Sequence, residues 1–172
     1  MKRKLSAISY QLSAYQSAFT LIELLVVISI IGMLSALLMA NIAGFRERAR
    51  DARRKSDLRE IKEALRIYHN DYDTYPTNDS GGSVVGCGDG DTATACIWTG
   101  EFLRKGVTYM KILPADPLSQ GGGPLYYTYA FIDKDNFYLQ AVLENKSDAD
   151  IAKSQSLCSQ NTGGTNYYVC AD

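Results

Sequence analysis

The stretch FTLIELLVVISIIGMLSALLMANIAGF, residues 19–45, carries one charged side chain, Glu23. From Leu24 to Phe45 there are 22 residues without a charge. The hydrocarbon core of a bilayer needs about 20 apolar residues in a helix. A run that is apolar on every face belongs in lipid or in the centre of a packed bundle. The whole-chain averages conceal it. The 172 residues are 46% hydrophobic and 22% charged, with a net charge of −1, and the mean hydropathy of −0.16 is that of a soluble protein.

On the C-terminal side, no Pro occurs before Pro76, and Gly appears only at 32 and 44 in that span. Residues 19 to about 70 therefore predict one long helix, on the order of 75 Å at 1.5 Å per residue. Its first part, 19–45, is the transmembrane or assembly half. Its second part, 46–72, is amphipathic: Leu58, Ile61, Leu65 and Tyr68 recur at helical spacing, with Ala64 and Tyr72 alongside. Asp51–Lys55 and Arg59–Glu63 stand four apart and predict ion pairs on the solvated faces. The apolar stripe is where a globular head should dock.

Charge divides by segment. Residues 1–18 hold Lys2, Arg3 and Lys4 and no acid, residues 46–66 carry a net +4, and residues 67–172 a net −7. The near-zero total is a cancellation. It excludes a chain-wide basic surface, so nucleic acid is not expected as the primary ligand. The bases that follow the apolar run would, by the positive-inside rule, lie in the cytoplasm. The four Cys beyond residue 86 argue instead for an oxidising compartment and a head outside. The basic stretch would then face lipid headgroups or the acidic head of a neighbouring subunit.

A secretory signal places its small-residue cleavage site after the apolar run. Here the small pair Ser17-Ala18 precedes it. A cut there leaves the apolar segment on the mature chain. The run Phe19-Thr20-Leu21-Ile22-Glu23-Leu24-Leu25-Val26-Val27-Ile28, with Gly32, Asn41-Ile42 and Arg46-Glu47-Arg48-Ala49 beyond it, resembles the N-terminus of type IV pilins and of the pseudopilins of type II secretion. The resemblance implies that residues 1–18 are a cytoplasmic leader. A prepilin peptidase would cut between Ala18 and Phe19 and methylate the new amino terminus. It also implies a partner for Glu23, the N-terminal amine of a neighbouring subunit. Such a partner would offset the roughly 2.5–3.5 kcal/mol that a charge costs at the centre of a span. The chain departs from the family in having Ala18 where Gly is usual, a longer leader than many, and Ala40 where many relatives carry a kinking Pro.

The remaining residues, 73–172, predict a small head. Pro76 to Gly90 is rich in Gly, Ser, Asp and Asn and reads as loop. Residues 125–131 (LYYTYAF) and 136–143 (NFYLQAVL) read as a hairpin across Ile132–Asp135, with Tyr167-Tyr168-Val169 as a third strand. The fold class is α+β: a long N-terminal helix packed on a small antiparallel sheet, pilin-like. Four Cys allow three pairings. Cys87–Cys96 with Cys158–Cys170 is preferred, because each bridge would staple a loop that lacks a packing face. Zinc is the competing use, but there is no C-x-x-C and His69 is the sole histidine. Ten of the twelve Tyr follow residue 67 and read as core and strand residues whose hydroxyls reach water.

The resemblance extends into this region through Tyr75-Pro76-Thr77 and Leu113-Pro114-Ala115-Asp116-Pro117, which are similar to the major pseudopilins of type II secretion. Ser147-Asp148-Ala149-Asp150-Ile151 resembles their acidic calcium loop. The resemblance thus implies calcium as a possible cofactor, at Asp148 and Asp150. No nucleophile elbow or phosphate-binding loop is present, and Gly121-Gly122-Gly123-Pro124 reads as a turn, so catalysis is not expected. The expected function is that of a structural subunit of a helical filament, a pseudopilin that drives secretion from the inner membrane, head outside the cytoplasm. Its implied partners are copies of itself, the prepilin peptidase, an inner-membrane assembly platform, minor pilins, and the membrane before assembly. The alternatives are a type IV pilus pilin (adhesion, motility or DNA uptake) and a minor, adhesin-type pilin that binds a surface ligand.

Overall fold

The computed structural model describes residues 19–39, 42–119, 127–160 and 163–171. It divides into two compact units, Met1–Ile42 and Ala43–Asp172. The leader, residues 1–18, lies outside the described residues, as do the expected Gly-rich turn at 121–124 and the first two residues of the 125–131 strand.

In the first unit, α1 (Leu21–Met39) is the apolar run in helical form. Its large apolar side chains are exposed, from Leu21 and Ile22 through Ile30 to Met39. A second helix, α2, spans Ile42–Tyr72. The unbroken helix expected from 19 to 70 is thus described as two, with residues 40 and 41 outside the description. Among the described residues no helix is long and apolar enough to cross a membrane. The uncharged run of the sequence is longer than α1, because it continues through those two residues to Phe45.

The second unit is the head, and almost all of α2 belongs to it. The amphipathic half of the helix is therefore part of the globular domain. Leu58, Ile61, Ala64, Leu65 and Tyr68 are buried in one core with Tyr127, Tyr129, Phe137 and Leu139. At about 25 cal/mol per Å2 of apolar surface, each fully buried Leu or Ile in such a stripe contributes roughly 1.5–3 kcal/mol. The helix ends where Asp73 turns left-handed at φ 57°, its N–H donating to the His69 carbonyl at 2.8 Å.

The main sheet is antiparallel in the order β6 (Tyr127–Asp133), β7 (Asn136–Val142) and β8 (Asn166–Cys170). All three strands stand close to where the sequence puts them, but β6 runs on through Ile132 and Asp133, which were expected in the turn, because Asp133 pairs with Asn136. Alternate residues Phe137, Leu139 and Ala141 point into the core. The segment 76–90, expected as loop, contains β1 (Thr77–Asn78) and β2 (Val84–Cys87), which with β3 (Thr94–Ala95) form a second antiparallel sheet. Two contacts explain that difference. The Gly82 carbonyl accepts from Tyr129 N–H at 2.8 Å, and the Tyr129 hydroxyl donates to the Pro76 carbonyl at 2.6 Å. The polar stretch is thereby stitched to β6. Gly82 has φ +76°, and a Cβ there would lie 2.4 Å from Thr128 Cγ2, so only Gly serves. A hairpin of β4 (Phe102–Arg104) and β5 (Val107–Met110) completes the strands.

One further element was expected as an acidic loop. Residues Ala149–Leu157 form a helix, α3, and Asp148 is its N-cap, accepting from Asp150 N–H. Asp at an N-cap satisfies an orphan donor and favours the positive end of the helix. The carboxylates that read as a loop are a helix start.

Candidate assembly face and ion-pair cluster

The start of α1 is held by a reciprocal cap. Thr20 Oγ1 accepts from Glu23 N–H at 3.3 Å, while Glu23 Oε2 accepts from Thr20 N–H at 2.8 Å and from the Thr20 hydroxyl at 2.6 Å. The sequence T-x-x-E at 20–23 is the capping-box signature. Reading Glu23 only as a partner for another subunit missed this local role. Phe19 is 88% exposed just before it; Ala18 lies outside the described residues. The cap therefore sits next to the expected cleavage point, at the head of a helix whose apolar surface is open. Contiguous exposed apolar surface on this scale marks a protein or membrane contact.

Two bases of the stretch that follows, Arg50 and Arg54, find partners within their own chain. Arg54, 1% exposed, donates through Nη1 to Asp51 Oδ1 at 2.7 Å and to Glu144 Oε1 at 2.6 Å. Through Nε and Nη2 it grips both oxygens of Asp116. Arg50 Nε donates to Glu144 Oε1 at 2.7 Å. Asp51, expected to pair with Lys55, instead accepts backbone N–H bonds from Glu144 and Asn145 at 3.0 and 2.8 Å. It meets Arg54 three residues on. Glu63 likewise meets Arg66, at 3.6 Å. Arg50 and Arg54 are thus turned to the acidic head of their own chain.

Electrostatics follow from this packing. Burial works against the Arg54 charge, but the bonds to Asp116, Glu144 and Asp51 outweigh it and raise its pKa above the ordinary value. The hydrogen bond from Arg50, then that from Arg54, lowers Glu144 to about 2. Asp57 goes the other way: burial raises its pKa, against the lowering effect of the Tyr127 hydroxyl, which donates to it at 2.8 Å.

Asp148 and Asp150 are brought together, but around an ammonium group. Lys55 Nζ lies 2.7 Å from Asp148 Oδ1, from Asp148 Oδ2 and from Asp150 Oδ2. Calcium takes 6–8 oxygen ligands at about 2.3–2.6 Å. A calcium ion bound to these carboxylates would occupy the space of Nζ, and Asp148 Oδ1 is also engaged by Asp150 N–H at 2.9 Å. With Lys55 in place, the residues do not fit calcium. Among the described residues no group of three or more His, Cys, Asp or Glu is arranged to hold a metal ion.

The four Cys form the preferred pairs, Cys87–Cys96 with Cα atoms 5.2 Å apart and Cys158–Cys170 at 5.6 Å. Each bridge pins a segment lacking a long ladder of its own: the first closes the loop across β2 and β3, the second ties the end of α3 to β8. Arg104, buried, adds hydrogen bonds to the carbonyls of Gly88, Gly90 and Asp91 within the first loop. Neither that Arg nor the Lys55 contact had a local sequence signal: the Lys55 partners lie 93 and 95 residues on, and the Arg104 partners are backbone carbonyls, which any residue carries.

Comparison with known proteins bears on this arrangement. The model of a prokaryotic N-terminal methylation motif matches residues 13–39, a span that takes in Ala18, Phe19, Glu23 and the whole of α1. Type II secretion system core protein G of Klebsiella pneumoniae is 41% identical over 103 residues, 59% of this chain and 69% of that protein. The chain belongs to the type II secretion system core protein G family. The core protein G of Escherichia coli strain K12 is 37% identical over 59% of this chain and 66% of its own length. That of Pseudomonas aeruginosa is 31% identical over 65% and 72%. The aligned stretches thus cover about two thirds of these core G proteins. No solved structure matches the chain.

Proposed function

We propose that the chain is a pseudopilin, the structural subunit of a helical filament in a type II secretion system-like machine. The observation that carries this reading is the methylation motif lying at the start of an apolar helix with an open surface. The precursor inserts in the inner membrane through the uncharged run that ends at Phe45, with its head outside the cytoplasm. A prepilin peptidase cuts between Ala18 and Phe19 and methylates Phe19. Subunits then leave the lipid, and their apolar helices pack together in the filament core.

The physical logic is a change of solvent for one surface. An all-apolar helix is satisfied by lipid or by its own copies and by little else. Head-to-tail association that does not close on itself gives a filament. Within that assembly Glu23 exchanges its capping contacts for the N-terminal amine of the next subunit. An inner-membrane platform and minor pilins would supply the starting point and the driving force. The role is structural, in keeping with relatives that are all named secretion-system core proteins.

The test is to express the chain with its own secretion genes, shear the cells and image the sheared fraction. Thin helical filaments labelled by an antibody to the head are expected. Their absence while the processed chain stays in the membrane would count against the proposal.

A further inference from the structure

We propose that the Lys55 ammonium is the built-in cation of the acidic segment at 147–151, so that the head is held together there without a divalent metal. The geometry has three parts. Lys55 projects from α2 and places Nζ at 2.7 Å from both oxygens of Asp148 and one of Asp150. The same ammonium lies 5.6 Å from the centre of the Tyr167 ring on β8, within cation–π range. One side chain therefore joins α2, the first turn of α3 and the last strand.

A divalent ion in a loop does the same work by drawing separate carboxylates to one point. An ammonium with three N–H donors can take that place for two carboxylates. Its position is protected: the Lys55 side chain is 13% exposed and that of Asp148 19%. Burial works against the Lys55 charge, and the bonds to Asp148 and Asp150 overcome it and raise its pKa. The N-cap role of Asp148 holds its carboxylate in place beside the lysine. The Cys158–Cys170 bridge then fixes the far end of α3 to β8, so both ends of this helix are anchored without a metal. This inference concerns the head alone and stands whether or not the chain forms filaments.

The experiment is thermal unfolding of the full chain in dodecyl maltoside, in 5 mM calcium chloride and in EGTA. The wild-type midpoint should agree within about 1 °C between the two. Lys55→Met should lower the midpoint in EGTA by roughly 5 °C and regain part of that loss in calcium, since the vacated carboxylates are then open to it. Asp150→Asn, at a half-exposed site that does not threaten folding, should lower the midpoint by a smaller amount and leave it indifferent to calcium. A wild-type chain stabilised by several degrees in calcium would overturn the inference. So would Lys55→Met melting like wild type, or melting lower with no response to calcium. If Lys55→Met does not fold, Lys55→Arg, which keeps the charge, should fold and ignore calcium; a calcium-dependent Lys55→Arg would also overturn it.

Discussion

Arg54 and Asp116 stand 62 residues apart in sequence and meet through two hydrogen bonds, with side chains 1% and 0% exposed. The pair locks the helix to the Leu113–Pro117 segment, whose Leu113 is fully buried and bonded to Gly100. A buried ion pair adds little over a well-packed apolar replacement, but removing one partner leaves the other charge stranded.

Arg54→Met should therefore destabilise the full chain by about 3–5 kcal/mol, because Asp51 and Asp116 stay buried without it. Chemical denaturation in detergent measures this. A loss below about 1 kcal/mol would show that water reaches those carboxylates.

Glu144 sets an acid dependence. Its ordinary pKa is 4.5, and in the folded chain it is about 2. Between these values the unfolded state binds the extra proton, so stability falls as pH drops through that window and is fully present above it. Glu144→Gln should flatten the acid limb of a stability–pH profile. Asp57 has the opposite sign: with a raised folded pKa, its contribution is present at low pH and lost as pH rises. Asp57→Asn should be neutral or stabilising at pH 7 and steepen the acid limb. A profile unchanged in both variants would contradict these assignments.

The Cys158–Cys170 bridge can be removed by itself. Replacing Cys158 and Cys170 together by Ser should cost about 2–4 kcal/mol and expose the end of α3 to protease. Limited proteolysis should then cut near residues 157–165 in the variant first. Cleavage at the same rate as in wild type would place the stability of α3 in its other contacts.

Glu23 carries both a local and an assembly role. Glu23→Ala removes the carboxylate half of the reciprocal cap and leaves Thr20 Oγ1 on the residue-23 N–H, so it should abolish filaments while the head melts normally. Glu23→Gln keeps a capping acceptor without the charge, so it should retain the helix start and still assemble poorly. Normal filaments from Glu23→Ala would remove the charge from the assembly mechanism.

The apolar run and the amphipathic stripe were legible because helical periodicity and charge density are local properties. The main sheet was legible for the same reason: Phe137, Leu139 and Ala141 alternate with polar neighbours on a half-buried face. The Cys spacing leaves three pairings open, and the local one, which the structure shows, was preferred only because each bridge staples a loop without a packing face. The small strands around Val84 were not legible, since Val84–Cys87 pairs with two-residue strands, Thr77–Asn78 and Thr94–Ala95, too short to show a pattern, and the tie from Pro76 to Tyr129 spans 53 residues. Helix α3 was hidden by its own cap: Asp148 and Asp150 are acidic-loop residues and N-terminal helix residues alike. The same distance effect misdirected Asp51 and Lys55, which stand at the right separation to pair but have stronger partners at Glu144, Asn145 and Asp148.

The most direct measurement is mass spectrometry of the N-terminus of the chain recovered from cells that contain its prepilin peptidase. A filament subunit of this family should begin at Phe19 with one added methyl group, and Ala18→Leu should block that product by overfilling a pocket shaped for a small residue. Recovery of chains that still begin at Met1 would contradict the pseudopilin reading.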